Sequence, residues 1–222
     1  TTATTTTTVT TATETVAIQR GGVLLYGGYA DIGQAGVLDI QNLHSAAAGV
    51  YYAMWSFFNG MCKLDTRMNV IPDLAKSWKI SSDGRSYTFY LNGGVRFWNG
   101  KEFTGQDVVQ NYDRIRRDKV FQSLYIEDVD HVEVPDKYTA LVVLKRPNAS
   151  FLSATAGNPR QGMIDVTYHD QVGREEFERN PMGTGPFKHK EWVPDRYIEA
   201  VKNPEYWEPG VPYLDGYRVV PI

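Results

Sequence analysis

Residues able to do chemistry are few and poorly clustered in this sequence. It holds no Gly-x-Ser-x-Gly elbow, no His-Glu-x-x-His pair and no phosphate loop ending in Lys-Ser/Thr. Gly183-Thr184-Gly185-Pro186 is glycine-rich, but Pro186 has no N–H to offer and the lysine is missing, so it is not expected to cradle phosphate. The four histidines, His44, His131, His169 and His189, fall in different segments, and each is expected to be a polar surface residue rather than a base or metal ligand. Cys62, the single cysteine, excludes an internal disulfide and any multi-cysteine zinc site, and is expected to fill core space. Glu127-Asp128-Val129-Asp130 lacks the glycine and the distal glutamate of a calcium loop and reads as a charged strand entry. No catalytic residue, metal ligand or cofactor is assigned.

Aromatic residues are the more promising material, at 13% of the chain. Tyr51, Tyr52, Trp55, Phe57 and Phe58 crowd one segment, while Phe97-Trp98 and Tyr206-Trp207 sit beside turns. Such residues either pack a core and its hairpins or line a cleft for peptide or sugar, and composition alone does not choose.

The elements that must position these groups follow from periodicity and turn chemistry. Gly22–Gly27 is a short apolar run bounded by glycines, consistent with a buried strand, and a glycine-punctuated polar loop follows over 28–36. A largely buried helix is expected from about Leu43 to Phe58. Asp83-Gly84 between Ser77–Ile80 and Tyr87–Leu91 is a strong hairpin signal, and Asn99-Gly100 marks another turn. Thr104 followed three residues later by Asp107 is a capping box with Asp in place of Glu. It opens a helix with Val108, Tyr112 and Ile115 or Arg116 following at helical spacing on one face, and the charged run Arg114–Lys119 at its end. A third hairpin is expected between Val129–Val134 and Ala140–Leu144 across Pro135-Asp136-Lys137. A short helix is expected over Ala149–Ala156, and a fourth hairpin between Phe187–Trp192 and Tyr197–Val201. Hairpins alternating with single helices predict an α+β fold of mixed β-sheets with flanking helices, not a doubly wound nucleotide fold.

Composition sets the outer limits. With 222 residues, 42% hydrophobic and 22% charged, the chain can bury a core without disulfide or metal staples. A net charge of −3 without a basic stripe argues against nucleic acid as partner. The uncharged stretch 40–62 is broken by Gln41, Asn42, His44 and Asn59 and does not read as a membrane span. Residues 1–15 contain eleven threonines and no apolar face, so 1–19 is expected to be a solvated, disordered linker ahead of a domain over 20–222.

Several linked blocks carry a family resemblance. Residues Ile71-Pro72-Asp73-Leu74-Ala75-Lys76-Ser77-Trp78, followed by Ser82-Asp83-Gly84-Arg85-Ser86-Tyr87-Thr88-Phe89-Tyr90-Leu91, resemble a signature of extracytoplasmic solute-binding proteins serving peptide and nickel ABC importers. Gly183-Thr184-Gly185-Pro186-Phe187, Asn203-Pro204-Glu205-Tyr206-Trp207 and Pro212-Tyr213-Leu214-Asp215 look like further blocks of the same family, in its order. Two positions depart from the pattern: Leu38-Asp39-Ile40 stands where Leu-Asp-Pro is usual, and Asn92 where a basic residue is usual.

The resemblance implies the first lobe of a two-lobe, hinge-closing periplasmic-binding-protein architecture, with the second lobe outside this chain. It implies a monomeric, non-enzymatic subunit that captures peptides outside the membrane and hands them to an ABC permease. The threonine tract would then suit a spacer of a lipoprotein tethered near the membrane rather than spanning it. Tyr29, Asp31 and Gln34, in the loop after the first strand, are expected to form one cleft wall, with Asn158 and Arg160 as further ligand contacts. The same fold with an oligosaccharide, a nickel chelate or another small solute is the alternative. A secreted hydrolase would need a nucleophile–base pair that the sequence does not offer.

Overall fold

The computed structural model describes residues 18–28, 38–41, 54–120 and 126–222. The threonine tract, Tyr51, Tyr52, His44 and most of the helix expected over 43–58 lie outside them; of that helix, Met54 is helical and 55–57 form a turn.

The first sheet is built from two hairpins. Strands β4 (Ala75–Ile80) and β5 (Ser86–Leu91) flank the Asp83-Gly84 turn, and β6 (Val129–Asp136) and β7 (Thr139–Leu144) form the next hairpin; the order is β4-β5-β7-β6, all antiparallel. Along β5 burial alternates with the pleat, so Tyr87, Phe89 and Leu91 point inward. Each such side chain contributes about 1.5–3 kcal/mol of burial. The β6–β7 turn falls later than expected, because β6 continues through Pro135 to Asp136. β6 is an edge strand, where a missing N–H costs no ladder hydrogen bond.

Helix α1 (Gly105–Arg117) closes this first core. The Asp107 carboxylate accepts from the Thr104 N–H (2.8 Å) and hydroxyl (3.0 Å), completing the box at the helix start. Lys101 joins Asp107 (2.6 Å) to Asp165 (2.7 Å), which caps α3 (Val166–Val172) by accepting from the Tyr168 N–H. Val108, Tyr112 and Ile115 are buried as expected, but the charged run divides, because Arg114 is buried with them.

A second sheet holds the second core. Its strands are β1 (Val23–Gly28), β8 (Phe187–Val193), β9 (Tyr197–Lys202) and β10 (Gly216–Pro221), in the order β1-β10-β9-β8, with β1 parallel to β10 and the other pairs antiparallel. Phe57, Phe58, Ile164, Phe177, Ile198 and Val219 gather in that core with Leu38 and Ile40. The Gly22–Gly27 run is a strand as expected but not a buried one: Val23, Leu24, Leu25 and Tyr26 are exposed, because β1 lies at the sheet edge.

Short elements join the two cores. β2 (Cys62–Leu64) and β3 (Val70–Pro72) form a ribbon that packs on α2 (Phe151–Gly157), and a 3₁₀ turn follows at Pro159–Gln161. Helices α3 and α4 (Arg174–Arg179), absent from the sequence reading, are too short to show a helical period. Two histidines also differ from expectation. His169 is buried beside Arg114 and Asp170, and His189 is half-buried edge-on to Phe57, since each ring helps fill the second core. His131 is exposed, between Asp130 and Glu133.

Candidate functional site

Where the two cores meet, a cleft of about 510 Å³ opens, with Phe58 from one core and Cys62 from the other in its wall. This is a volume suited to a small ligand. Trp55, Phe58, Phe187, Tyr206 and Tyr213 give it an aromatic side, and Asn59, Lys63, Asp73 and Glu208 a polar end. The aromatic residues thus do both things composition allowed: Phe57 and Phe97 pack cores, whereas Trp55 is half exposed on the cleft.

Asn59 is the hub of the polar end. Its Nδ2 donates to Asp73 (2.8 Å) and to the Tyr206 hydroxyl (3.1 Å), and its Oδ1 accepts from the Thr184 hydroxyl (3.0 Å). Asp73 also accepts from the Gly60 N–H at 3.0 Å, and Lys63 approaches it at 3.8 Å while pairing with Glu208 at 3.3 Å. The segment carrying Thr184 is held by close backbone contact: Gly185 donates its N–H to the Phe57 carbonyl at 2.9 Å, and Trp98 donates to the Gly183 carbonyl at 3.1 Å. Asn203 in turn donates to the Gly185 carbonyl and fixes the loop bearing Tyr206. The glycine-rich tetrapeptide therefore serves backbone packing behind the cleft.

Burial sets the protonation of this end. It pushes the Asp73 carboxyl up to about 6, against the pull of Lys63, Asn59 and the Gly60 N–H. It pushes the Cys62 thiol up to about 12, with the Asp73 charge adding to the effect, and raises the Tyr206 hydroxyl as well. A protonated, buried thiol is core filling rather than a nucleophile.

Asp73 and His189 give stability opposite pH slopes in one window. Burial holds the Asp73 carboxyl at about 6 against an ordinary 3.8, so its contribution is present in acid and is lost as pH rises to about 6. Burial holds His189 at about 4 against 6.5, so its contribution is present above 6.5 and is lost as pH falls to about 4. Urea midpoints measured near pH 4.5 and pH 6.5 should therefore tilt in opposite directions in two variants, by on the order of 2 kcal/mol each relative to the wild type. Asp73→Asn should lose stability on acidification and His189→Phe should gain it. Parallel slopes in both variants would refute the assignment.

Of the residues singled out from sequence, Tyr29, Asp31 and Gln34 lie outside the described residues. Asn158 stands on the cleft wall at the end of α2, accepting at Oδ1 from the Arg160 N–H (3.1 Å). Arg160 faces a neighbouring depression with Leu64 and Met68 instead, so the two are adjacent without sharing the main cleft. Sequence reasoning missed Asn59 and Asp73 as site residues, and named Tyr206 only among the aromatics that could either pack a core or line a cleft. Asp73 did leave a signal: it is the one charge between Ile71-Pro72 and Leu74-Ala75.

Residues 69–222 match the family described as bacterial extracellular solute-binding proteins, family 5, middle region. The chain belongs to this family. Glutathione-binding protein GsiB of Escherichia coli strain K12 is 31% identical over 169 residues, 75% of this chain and 33% of that protein. The protein of the same name from Pectobacterium atrosepticum is 33% identical over 174 residues, 75% of this chain and 32% of its own length. The chain thus spans about a third of these curated relatives.

Among solved structures, the periplasmic binding protein DppA of Helicobacter pylori, in complex with the peptide STSA, superposes with a TM-score of 0.80 at 29% identity, over 92% of this chain and 43% of that one. The oligopeptide-binding protein AppA of Bacillus subtilis, in complex with a nonapeptide, gives 0.77 at 30% identity, over 92% and 40%. The mixed sheets and flanking helices of this chain are therefore part of the periplasmic-binding-protein fold used by the family. Among the described residues no helix is long and apolar enough to cross a membrane.

Proposed function

We propose that this chain is the first lobe of the substrate-binding component of an ABC importer, and that it captures peptides outside the cytoplasmic membrane for delivery to the permease. The observation that carries the reading is the half-open cleft, with an aromatic wall against a buried hydrogen-bonding end, in a fold whose relatives at 29% and 30% identity hold peptides. Residues 20–222 act as the lobe and 1–19 as a threonine-rich spacer of a lipoprotein. A second lobe closes over the ligand about a hinge, and only a ligand that favours the closed state shifts that equilibrium. Main-chain hydrogen bonds to an extended peptide allow breadth over side chains. Tyr29, Asp31, Gln34 and Asn158 contribute to the ligand wall from this lobe, with Arg160 at its margin. The protein acts as a monomer and has no catalytic task.

Trp55 on the cleft supplies a reporter. Titration of the protein with a tripeptide mixture, glutathione and maltotriose, followed by tryptophan fluorescence and calorimetry, is expected to show saturable binding of the peptides. The peptides should be recovered uncleaved. Binding of maltotriose alone would move the assignment to the oligosaccharide reading, which the half-exposed Trp55 and Tyr213 favour. Cleaved peptide would overturn the transport reading in favour of a hydrolase.

A further inference from the structure

Resting on the peptide reading, we propose that the polar end of the cleft is a pocket for a cationic group, an ammonium or guanidinium on an apolar stem, held by Asp73 and Glu208 beside the Tyr206 ring.

The charge count points this way. Lys63, Asp73 and Glu208 are the charged side chains lining the cleft among the described residues, so one ammonium is shared between two carboxylates. Lys63 lies 3.3 Å from Glu208 and only 3.8 Å from Asp73. The close partners of Asp73 are neutral donors, the Asn59 amide and the Gly60 N–H. Neutral donors orient a carboxylate but do not balance its charge, and the Asp73 side chain is only 5% exposed. A second cation would complete that balance, whereas a ligand carboxylate there would add a third anion around the single Lys63 ammonium. Glu208 is 42% exposed at the mouth and Asp73 lies at the floor, so a long side chain can reach both. Trp55, Phe58 and Tyr206 offer aromatic faces to its methylene stem and its charge.

The acidic limit follows from the same groups. Lys63, Glu208, the Tyr206 hydroxyl and the Cys62 thiol surround Asp73, and the last two stay protonated at neutral pH. Asp73 takes up a proton at about 6, so cation binding should weaken below that pH.

The test is calorimetry on the full chain with tripeptides carrying lysine, arginine, norleucine or glutamate at each position in turn, and with agmatine as a peptide-free cation. Lysine and arginine peptides are expected to bind roughly tenfold tighter than the norleucine isostere at one position, with glutamate weakest there. Glu208→Gln should shrink the lysine-to-norleucine ratio and Lys63→Met should widen it, with melting curves checking that both variants fold. Peptides that bind with norleucine equal to lysine, or with glutamate preferred, would overturn the cation pocket and leave the peptide reading standing. Agmatine binding that Glu208→Gln weakens, without peptide binding, would sustain the pocket and remove the peptide reading. No binding of either up to millimolar concentration would overturn the proposal.

Discussion

Replacing Arg114 with methionine is expected to destabilise the protein by about 3–5 kcal/mol, as breaking a buried ion pair on one side does. The Arg114 side chain is 1% exposed and pairs with Asp39, which is fully buried. Its guanidinium also donates to the Gln41 side-chain carbonyl at 2.7 Å and to Asp118 at 3.1 Å, and meets His169 at 3.3 Å. Methionine fills much of the space but takes the guanidinium from the Asp39 charge, whose remaining hydrogen-bond donor among the described residues is the Gln41 N–H at 3.1 Å. Gln41 would lose a donor while still tied to Asn111 (2.7 Å) and the Gly162 carbonyl (3.1 Å), so the damage spreads to the segment ahead of α3. The double variant Asp39→Asn/Arg114→Met should recover a large part of the loss, because the buried charge is then gone. Urea unfolding of both single variants and the double closes the cycle. A loss below about 1 kcal/mol for Arg114→Met, additive with Asp39→Asn, would mean the pair is not the clamp between the two cores.

Alanine at Gly183 or Gly185 is expected to cost about 3 kcal/mol or more and to disturb the cleft as well. A Cβ at Gly183 would overlap the Phe57 carbonyl oxygen, and one at Gly185 the Ser56 carbonyl oxygen. Both obstacles are main-chain atoms, which cannot rotate away as a side-chain tip can. Relief requires the 183–186 segment to separate from 56–58, which breaks the Gly185 to Phe57 hydrogen bond and moves Asn59 from the Thr184 hydroxyl. Each alanine variant should therefore lower the urea midpoint and weaken ligand binding together. Thr184→Val removes only the hydroxyl contact to Asn59, so it should show the binding defect with a smaller loss of stability, on the order of 1–2 kcal/mol. Wild-type midpoints in the alanine variants would falsify the close approach.

Most of the frame was legible because its signals are short. Asp83-Gly84 sits between strands whose alternation is visible within six residues, and Thr104 with Asp107 announces α1 three residues apart. The family blocks around Asp73, Gly183 and Tyr206 were equally plain as strings, but their roles were not. Gly183-Thr184-Gly185-Pro186 could be denied a phosphate on chemical grounds, yet that it is pressed against 56–58 is a fact about two distant segments. The misread residues share this cause. Arg114 looks like part of a charged helix end, and His169 like a surface group, until Asp39 is brought beside Arg114 and Arg114 beside His169. Val23–Tyr26 has the composition of a buried strand, yet it stands at the edge of the second sheet with both faces exposed.

The sequence alone therefore determined the α+β class, the hairpins, the α1 cap and the family, since each depends on residues within a few positions or on ordered blocks of them. Tertiary structure alone decided the cleft and the protonation of its polar end. Thr184 meets Asn59 across 125 residues and Tyr206 meets it across 147, and the burial that raises the Asp73 carboxyl exists only once those segments close around it.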